Sequence, residues 1–132
     1  MIVADTNLIA YALLSGPMTA DAARVLTADE EWLAPPLWRS ELLNVLWLAI
    51  RRNVITLAAA EVAFSAAQSL VRTARQPDYR EVLGLAVTSG CTSYDCEYVA
   101  LAHSRRVPLV TADGKVLAAF PAVAVSIQSF AS

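Results

Sequence analysis

The chain has 132 residues and a formal net charge of −2, with 57% apolar and only 17% charged residues. This length fits a single domain over residues 1–132, which buries about 70% of the surface of the unfolded chain. The charge argues against tight non-specific binding to a polyanion. No apolar run reaches the ~18 residues of a membrane span, and no basic leader precedes the first apolar residues, so we expect a cytoplasmic protein without membrane contact.

The apolar content exceeds what a chain of this size usually needs for its interior. It therefore predicts a further buried surface at an oligomer or partner interface. The two cysteines, Cys91 and Cys96, have no other Cys or His at ligand spacing. They are expected to be reduced packing residues rather than a redox pair or a zinc site.

Strands and helices alternate along the chain. Short apolar runs predict strands at residues 1–5, 32–34, 108–111 and 123–127. Helical patterns bounded by capping residues, Gly or Pro predict helices at residues 6–14, 20–27, 37–52, 57–75, 80–89, 93–105 and 113–120. This alternation predicts an α/β fold, a three-layer sandwich around a mostly parallel sheet.

Four acidic side chains are predicted to point into one cleft at the edge of that sheet. Asp5 and Asp113 follow predicted strands, and Asp95 lies in the first turn of a helix that begins at the same edge. Glu41 lies early in the long helix predicted at residues 37–52. Because ligands of such sheets bind beyond the carboxyl ends of the strands, we interpret these four carboxylates as a candidate site.

Glu41 lies on a narrow polar strip of its helix. At 100° per residue, Ser40, Glu41, Asn44 and Arg51 fall within one arc of roughly 100°. The remaining positions are nearly all apolar. We therefore expect the helix to pack on two sides and to turn its polar strip towards a cleft.

Converging carboxylates repel one another unless a positive charge lies among them. Two of them ~4 Å apart repel by about 4 kcal/mol at an effective dielectric constant of 20. Four would raise one another's pKa values and destabilise the protein without a cation. Oxygen ligands without His or Cys suit Mg²⁺ or Mn²⁺, which can hold a phosphodiester and activate a water. The sequence therefore predicts metal-dependent phosphoryl chemistry.

Short motifs occur in a fixed order along essentially the whole chain. They are Asp5-Thr6-Asn7, Glu41 in a helix, Ser93-Tyr94-Asp95 leading into Tyr98-Val99-Ala100-Leu101-Ala102, and Leu109-Val110-Thr111-Ala112-Asp113. This ordered set resembles the PIN-domain ribonucleases. Within them it is most similar to the VapC-type toxins of bacterial and archaeal toxin–antitoxin pairs.

The resemblance implies a PIN-like fold with a five-stranded parallel sheet in the order 3-2-1-4-5, flanked by helices. The third strand should precede Asp95, where Cys91-Thr92 is too short to be identified as one. The resemblance also implies a set of site residues. Metal coordination, directly or through water, falls to Asp5, Glu41, Asp95 and Asp113, with Thr6 or Asn7 and Thr111 as supporting groups.

The activity implied is that of a Mg²⁺- or Mn²⁺-dependent endoribonuclease toxin that cleaves structured RNA such as tRNA or rRNA. Water attacks in line and leaves a 5′-phosphate and a 3′-hydroxyl. The implied protein partner is a cognate antitoxin that wraps the helices and blocks the site. A homodimer is expected to use apolar helix surface within residues 37–75, and Arg39, beside the start of the Glu41 helix, is a predicted substrate contact.

Two other functions remain open from the sequence. A phosphatase of the haloacid-dehalogenase kind would use Asp5 as its nucleophile. Such an enzyme needs a second acid two residues on, where this chain has Asn7, and a Lys at a strand end. A non-catalytic α/β interaction module is favoured only if the four carboxylates do not converge.

Overall fold

Five short strands form one parallel sheet in the computed structural model, which describes residues 1–132. The strands are Ile2–Ala4 (β1), Trp32–Ala34 (β2), Val71–Thr73 (β3), Leu109–Thr111 (β4) and Ala124–Ser126 (β5). Their order is β3-β2-β1-β4-β5, and every neighbouring pair is parallel. This confirms the predicted sheet and its strand order.

Eight helices flank the sheet. They are Thr6–Leu13 (α1), Thr19–Ala28 (α2), Trp38–Arg51 (α3), Leu57–Leu70 (α4), Tyr79–Ser89 (α5), Ser93–Arg105 (α6), Gly114–Ala119 (α7) and Ile127–Ala131 (α8). Helix α1 contacts α2, α3 and α4, whereas α6 contacts α5, β1 and β4. The predicted three-layer sandwich is confirmed. None of these helices combines the length and the hydropathy needed to span a bilayer.

The central strands are buried on both faces. All residues of β1, β2 and β4 are buried, which explains why these segments are apolar without alternation. The buried apolar side chains form one continuous core. Cys91 and Cys96 are free and buried within it, as expected. Thr111, at the end of β4, is the exception among the strand residues because it is polar yet fully buried.

The third strand lies where the sequence predicts the end of a helix. The helix predicted at residues 57–75 ends at Leu70, and β3 follows it directly. The backbone of Val71 is extended, with φ −104° and ψ 127°. Helix α5 then separates β3 from Asp95, so the short segment just before Asp95 contains no strand.

Pairing with the sheet explains why the helix stops early. Val71 lies opposite Trp32 and Thr73 lies opposite Ala34 in parallel register. The indole N–H of Trp38 donates to the hydroxyl of Thr73 at 2.9 Å. Helix propensities of ordinary residues differ by less than about 0.7 kcal/mol, so contacts with β2 outweigh the local preference.

The C-terminal segment also differs from the prediction. The strand predicted at residues 123–127 is shorter, Ala124–Ser126, and a helix that the sequence did not indicate follows at once. The Ser126 side chain accepts from the backbone N–H of Ser129 at 3.1 Å and so caps α8. Ile127 is fully buried at the start of this helix. Serine capping therefore ends the strand where hydrophobicity alone would continue it.

Helix α3 packs against two helices, α1 and α4. Its buried stripe consists of Trp38, Leu42 and Leu46. The expected packing on two sides is therefore present, although Leu43 and Trp47 remain 53% and 52% exposed. These two side chains line an apolar groove of about 310 Å³ between α3 and α4. The excess apolar material noted in the composition therefore lies partly on the surface.

Candidate active site

One cavity of about 550 Å³ brings together all four predicted carboxylates, Asp5, Glu41, Asp95 and Asp113. Asp5 follows β1, Asp113 follows β4, Glu41 lies in α3, and Asp95 lies in the first turn of α6. Polar and aromatic side chains complete much of the lining, namely Thr6, Asn7, Ser40, Asn44 and Tyr94. No Lys or Arg lines the cavity. The site is therefore acidic, and no positively charged side chain of its lining balances the carboxylates.

The four carboxylates share a cavity without forming a tight cluster. No three Asp, Glu, His or Cys side chains of the chain come close enough together to be a ready-made metal site. The donor set consists of hard carboxylate oxygens, which suits Mg²⁺ or Mn²⁺ and disfavours zinc. Mg²⁺ usually keeps several of its water molecules. Such a hydrated ion fits a cavity whose carboxylates stand apart.

Asp5 is held by two hydrogen bonds at the end of β1. Its Oδ1 accepts from the backbone N–H of Thr6 at 2.8 Å, and its Oδ2 accepts from the hydroxyl of Thr111 at 2.7 Å. The pKa of Asp5 is raised from 3.8 to about 6, mainly by burial and against the effect of these two bonds. The negative charges of Glu41 and Asp95 contribute to the same rise. The expected upward shift is present, but burial causes more of it than repulsion does.

Thr111 connects Asp5 with the loop that carries Asp113. Besides donating to Asp5, its hydroxyl oxygen accepts from the backbone N–H of Asp113 at 3.0 Å and from Nδ2 of Asn7 at 3.3 Å. The Oδ1 atom of Asn7 accepts from the backbone N–H of Ala112 at 3.2 Å. Of the side chains that the resemblance named as supporting groups, Thr111 thus contacts Asp5 and the backbone of Asp113, whereas Asn7 contacts Thr111 and the backbone of Ala112.

Asp113 caps helix α7 with one of its two carboxylate oxygens. Oδ1 accepts from the backbone N–H groups of Lys115 at 2.9 Å and Val116 at 3.0 Å. Oδ2 makes no hydrogen bond within the protein. Capping by Asp is favourable at a helix start. Here it also fixes the orientation of a carboxylate that lines the cavity.

Asp95 lies one turn into α6, where the sequence predicts a capped helix start. The backbone N–H of Asp95 donates to the hydroxyl of the capping residue Thr92 at 3.1 Å, which confirms the cap. Burial raises the pKa of Asp95, and the charge of Asp113 adds to that shift. Bonds to Thr92 and the charge of Lys115 act in the opposite direction. Asp95 and Asp113 are thus electrostatically coupled.

Glu41 faces the cavity as the helical wheel predicts. Ser40, Glu41 and Asn44 line the cavity, whereas the guanidinium of Arg51 lies 5.4 Å from the ring centre of Trp47. The wheel therefore placed three of its four polar residues correctly. Leu43 and the Trp47 ring occupy the neighbouring exposed face rather than a buried one.

Tyr98 is a site residue to which sequence reasoning gave no role. Its hydroxyl donates to Oε1 of Glu41 at 2.6 Å and lies 2.6 Å from the hydroxyl of Thr6. Tyr98 follows Asp95 by three residues in α6. Residues at this spacing lie on the same face of a helix. That spacing is the signal that could have identified it.

Arg39 does not line the acidic cavity. Its guanidinium lies over the rings of Phe64, at 5.2 Å, and Trp38, at 5.8 Å. These are cation–π contacts on the side of α3 that faces α4. In this position the Arg39 side chain packs against aromatic rings. Contact between Arg39 and a substrate therefore stays a prediction.

The fold agrees with comparisons to known proteins. The family model described as the PIN domain matches residues 2–123. The chain belongs to the PIN-domain family.

Curated relatives point to the VapC-type members of the family. Ribonuclease VapC3 of Pyrobaculum aerophilum is 29% identical over 126 residues, covering 92% of this chain and 96% of that protein. Exonuclease VapC9 of the same organism is 36% identical over 75 residues, covering 57% of this chain and 56% of that protein. The crystal structure of PAE2754 from Pyrobaculum aerophilum matches with a TM-score of 0.80 and 27% identity, over 98% of this chain and 85% of that one. The resemblance to PIN-domain, VapC-type proteins is thereby confirmed.

Proposed function

We propose that this protein is a Mg²⁺- or Mn²⁺-dependent endoribonuclease toxin of a toxin–antitoxin pair. The observation that carries the proposal is the cavity lined by Asp5, Glu41, Asp95 and Asp113 at the carboxyl end of a PIN-domain sheet. A relative that aligns with nearly the whole chain is named a ribonuclease. Structured cellular RNA, such as tRNA or rRNA, is the proposed substrate.

The charge of the cavity supports a requirement for a cation. RNA phosphates are negative, so a cavity lined by carboxylates and free of Lys and Arg would repel them. Asp5, Glu41, Asp95 and Asp113 would hold Mg²⁺ or Mn²⁺, directly or through water. Bound there, the ion would supply an activated water and positive charge beside the scissile phosphate.

The chain's own residues prepare the carboxylates for this role. Thr111 and the backbone of Thr6 hold Asp5, and the start of α7 holds one oxygen of Asp113. In the proposed reaction a water oxygen bonds to phosphorus, the bond from phosphorus to the 3′ oxygen breaks, and that oxygen leaves with a proton. The products are a 5′-phosphate and a 3′-hydroxyl.

Exposed apolar surface supports the proposed protein partners. The groove between α3 and α4 presents Leu43, Trp47 and Leu57, which lie within the residues predicted to form a homodimer. Helix α5 presents a second apolar stripe, with Tyr79 66% and Val87 83% exposed. Two such surfaces are consistent with two protein partners, a second copy of this chain and a cognate antitoxin. We further propose that the protein acts in the cytoplasm, where its RNA substrates lie.

One comparison favours a second mode of cleavage. Over 75 residues the chain is 36% identical to a protein named an exonuclease. An exonuclease needs a free RNA end, whereas an endonuclease also cuts a closed circle. Circular RNA therefore separates the two modes.

The test compares circular and linear forms of one structured RNA, incubated with purified protein in Mn²⁺ or in EDTA. Asp5→Asn removes a charge from the cavity. Asp78→Asn is the matched control because Asp78 caps α5 outside the cavity, and Asn caps a helix equally well.

We expect cleavage of both RNA forms by wild type and Asp78→Asn in Mn²⁺, and no cleavage in EDTA or by Asp5→Asn. Equal cleavage in all samples would indicate a contaminating nuclease and refute the proposal that this protein is a ribonuclease. Cleavage of linear RNA alone would establish the exonuclease instead. Release of a terminal phosphate from the linear RNA, without cleavage of either form, would favour the phosphatase with Asp5 as nucleophile.

A further inference from the structure

We propose that Tyr98 is a positioning residue for the metal site. Its buried hydroxyl, together with that of Thr6, fixes Oε1 of Glu41 so that Oε2 is presented to a divalent cation. The inference rests on the proposed function, because it concerns how the same cavity holds its ion. It adds to the four acids a residue that touches neither substrate nor metal.

Three oxygen atoms from three different helices form a closed triangle. The hydroxyl of Tyr98, in α6, lies 2.6 Å from Oε1 of Glu41, in α3. The hydroxyl of Thr6, at the start of α1, lies 2.6 Å from the Tyr98 hydroxyl and 3.0 Å from the same Glu41 oxygen. Tyr98 is 1% and Thr6 is 6% exposed. These contacts therefore join α1, α3 and α6 beside the cavity with little competition from water.

The two hydroxyls of this triangle act as hydrogen-bond donors, and Oε1 of Glu41 is the final acceptor. Tyr98 and Thr6 carry one hydroxyl hydrogen each, so two hydrogens serve three contacts. Both hydroxyls donate to Glu41, or one of them donates to the other, which then donates to Glu41. Every arrangement places a donor on Oε1 of Glu41. A tyrosine hydroxyl is protonated at neutral pH, so Tyr98 can act as a donor here.

The two oxygens of Glu41 therefore differ in their surroundings. All hydrogen bonds of the carboxylate within the protein end at Oε1, and Oε2 makes none. The same division occurs at Asp113, where the start of α7 holds Oδ1 and leaves Oδ2 without a protein donor. A carboxylate fixed through one oxygen offers the other to an ion with little further loss of side-chain entropy.

A purely structural tyrosine would behave differently. A buried hydroxyl needs a hydrogen-bond partner in any case, and its loss would lower the free energy of unfolding. That effect would not depend on whether Glu41 is present to hold an ion. The distinction between the two roles therefore lies in the coupling between Tyr98 and Glu41 in metal binding.

The experiment measures Mn²⁺ binding by the electron paramagnetic resonance signal of free Mn²⁺, without RNA, alongside thermal unfolding of each protein. The proteins are wild type, Tyr98→Phe, Glu41→Ala, the double variant and Tyr11→Phe. Tyr11 is the matched control because it lies outside the cavity and its hydroxyl makes no hydrogen bond within the protein.

Tyr98→Phe is expected to raise the Kd for Mn²⁺ roughly 5–10-fold, near the lower end of outer-sphere effects because Thr6 still donates to Glu41. In the Glu41→Ala background the same substitution should change the Kd less than about twofold. Tyr11→Phe should bind Mn²⁺ as wild type does.

An unchanged Kd in a folded Tyr98→Phe protein would overturn this inference and leave the proposed function standing. An equal loss of affinity with and without Glu41 would also overturn it, since Tyr98 would then act by another route. A wild-type protein that binds no Mn²⁺ would overturn the proposed function itself, and this inference with it.

Discussion

The hydroxyl of Thr111 donates to Oδ2 of Asp5 at 2.7 Å, although the two residues are 106 positions apart in the chain. Asp5 directly follows β1 and Thr111 ends β4, and these strands are neighbours in the sheet. The bond therefore depends on correct pairing of the N-terminal strand with a strand close to the C-terminus. It ties the geometry of the acidic cavity to completion of the fold.

Replacing Thr111 with Val keeps the shape of the side chain and removes its hydroxyl. Asp5 then loses a donor, and the backbone N–H of Asp113 loses an acceptor. We expect the free energy of unfolding to fall by about 1–3 kcal/mol, the usual effect of leaving buried polar groups without partners. Denaturant titration measures this change. Thr111→Ser, which keeps the hydroxyl, should lose markedly less, and equal losses for the two variants would contradict the assigned role of the hydroxyl.

The pKa of Asp5 predicts a pH dependence for the metal-free protein. Its folded pKa, about 6, lies above the ordinary value of 3.8, so between these values the folded state binds more protons than the unfolded state. Stability from this group is fully present below about pH 4 and is lost as pH rises through about 6. The raised pKa of Asp95 acts in the same direction.

Unfolding in EDTA, followed between pH 4 and pH 7.5, checks this expectation. The decline in stability with rising pH should be smaller in Asp5→Asn than in wild type. Asp78→Asn, a cap outside the cavity, should retain the full decline. A wild-type protein whose stability rises steadily over this range would contradict the burial of Asp5.

Binding of a divalent cation should stabilise the folded protein. A ligand that binds only the folded state at 100 times its Kd contributes about 2.7 kcal/mol. We therefore expect Mn²⁺ to raise the Tm of wild type at pH 7.5 and to raise that of Asp113→Asn much less. Differential scanning fluorimetry measures both shifts. Equal stabilisation of the two proteins would place the ion elsewhere.

The sequence located the acidic site more accurately than it located the secondary structure around it. Asp5 and Asp113 follow the buried strands β1 and β4, whose hydrophobicity is a strong local signal. Strand β3 was not predicted because the helical pattern of residues 57–70 runs directly into it. The strand forms by pairing with β2, which is distant in the sequence. The role of Tyr98 was not predicted for the same reason. It depends on contacts with Glu41 and Thr6, which lie 57 and 92 positions earlier in the chain.

The proposed homodimer is expected to bury the groove between α3 and α4. Replacing Trp47, which is 52% exposed in the groove, with Lys should convert a homodimer into a monomer. A charge there would have to be desolvated on dimerisation. Light scattering after size exclusion measures the mass, and RNA cleavage reports that the cavity is intact.

Val87→Lys, on the exposed stripe of α5, is the matched control. We expect this variant to remain a dimer. A monomeric Val87→Lys protein beside a dimeric Trp47→Lys protein would move the interface to α5 and contradict the prediction for residues 37–75.

Diffraction from a crystal soaked in Mn²⁺ tests most directly whether the four carboxylates form a cation site. The anomalous signal of manganese locates the ion independently of any assumption about the ligands. We predict a peak in the cavity between Asp5, Glu41, Asp95 and Asp113, with at least one carboxylate oxygen at about 2.1 Å. A cavity without manganese, in a crystal that binds the ion elsewhere, would contradict the account.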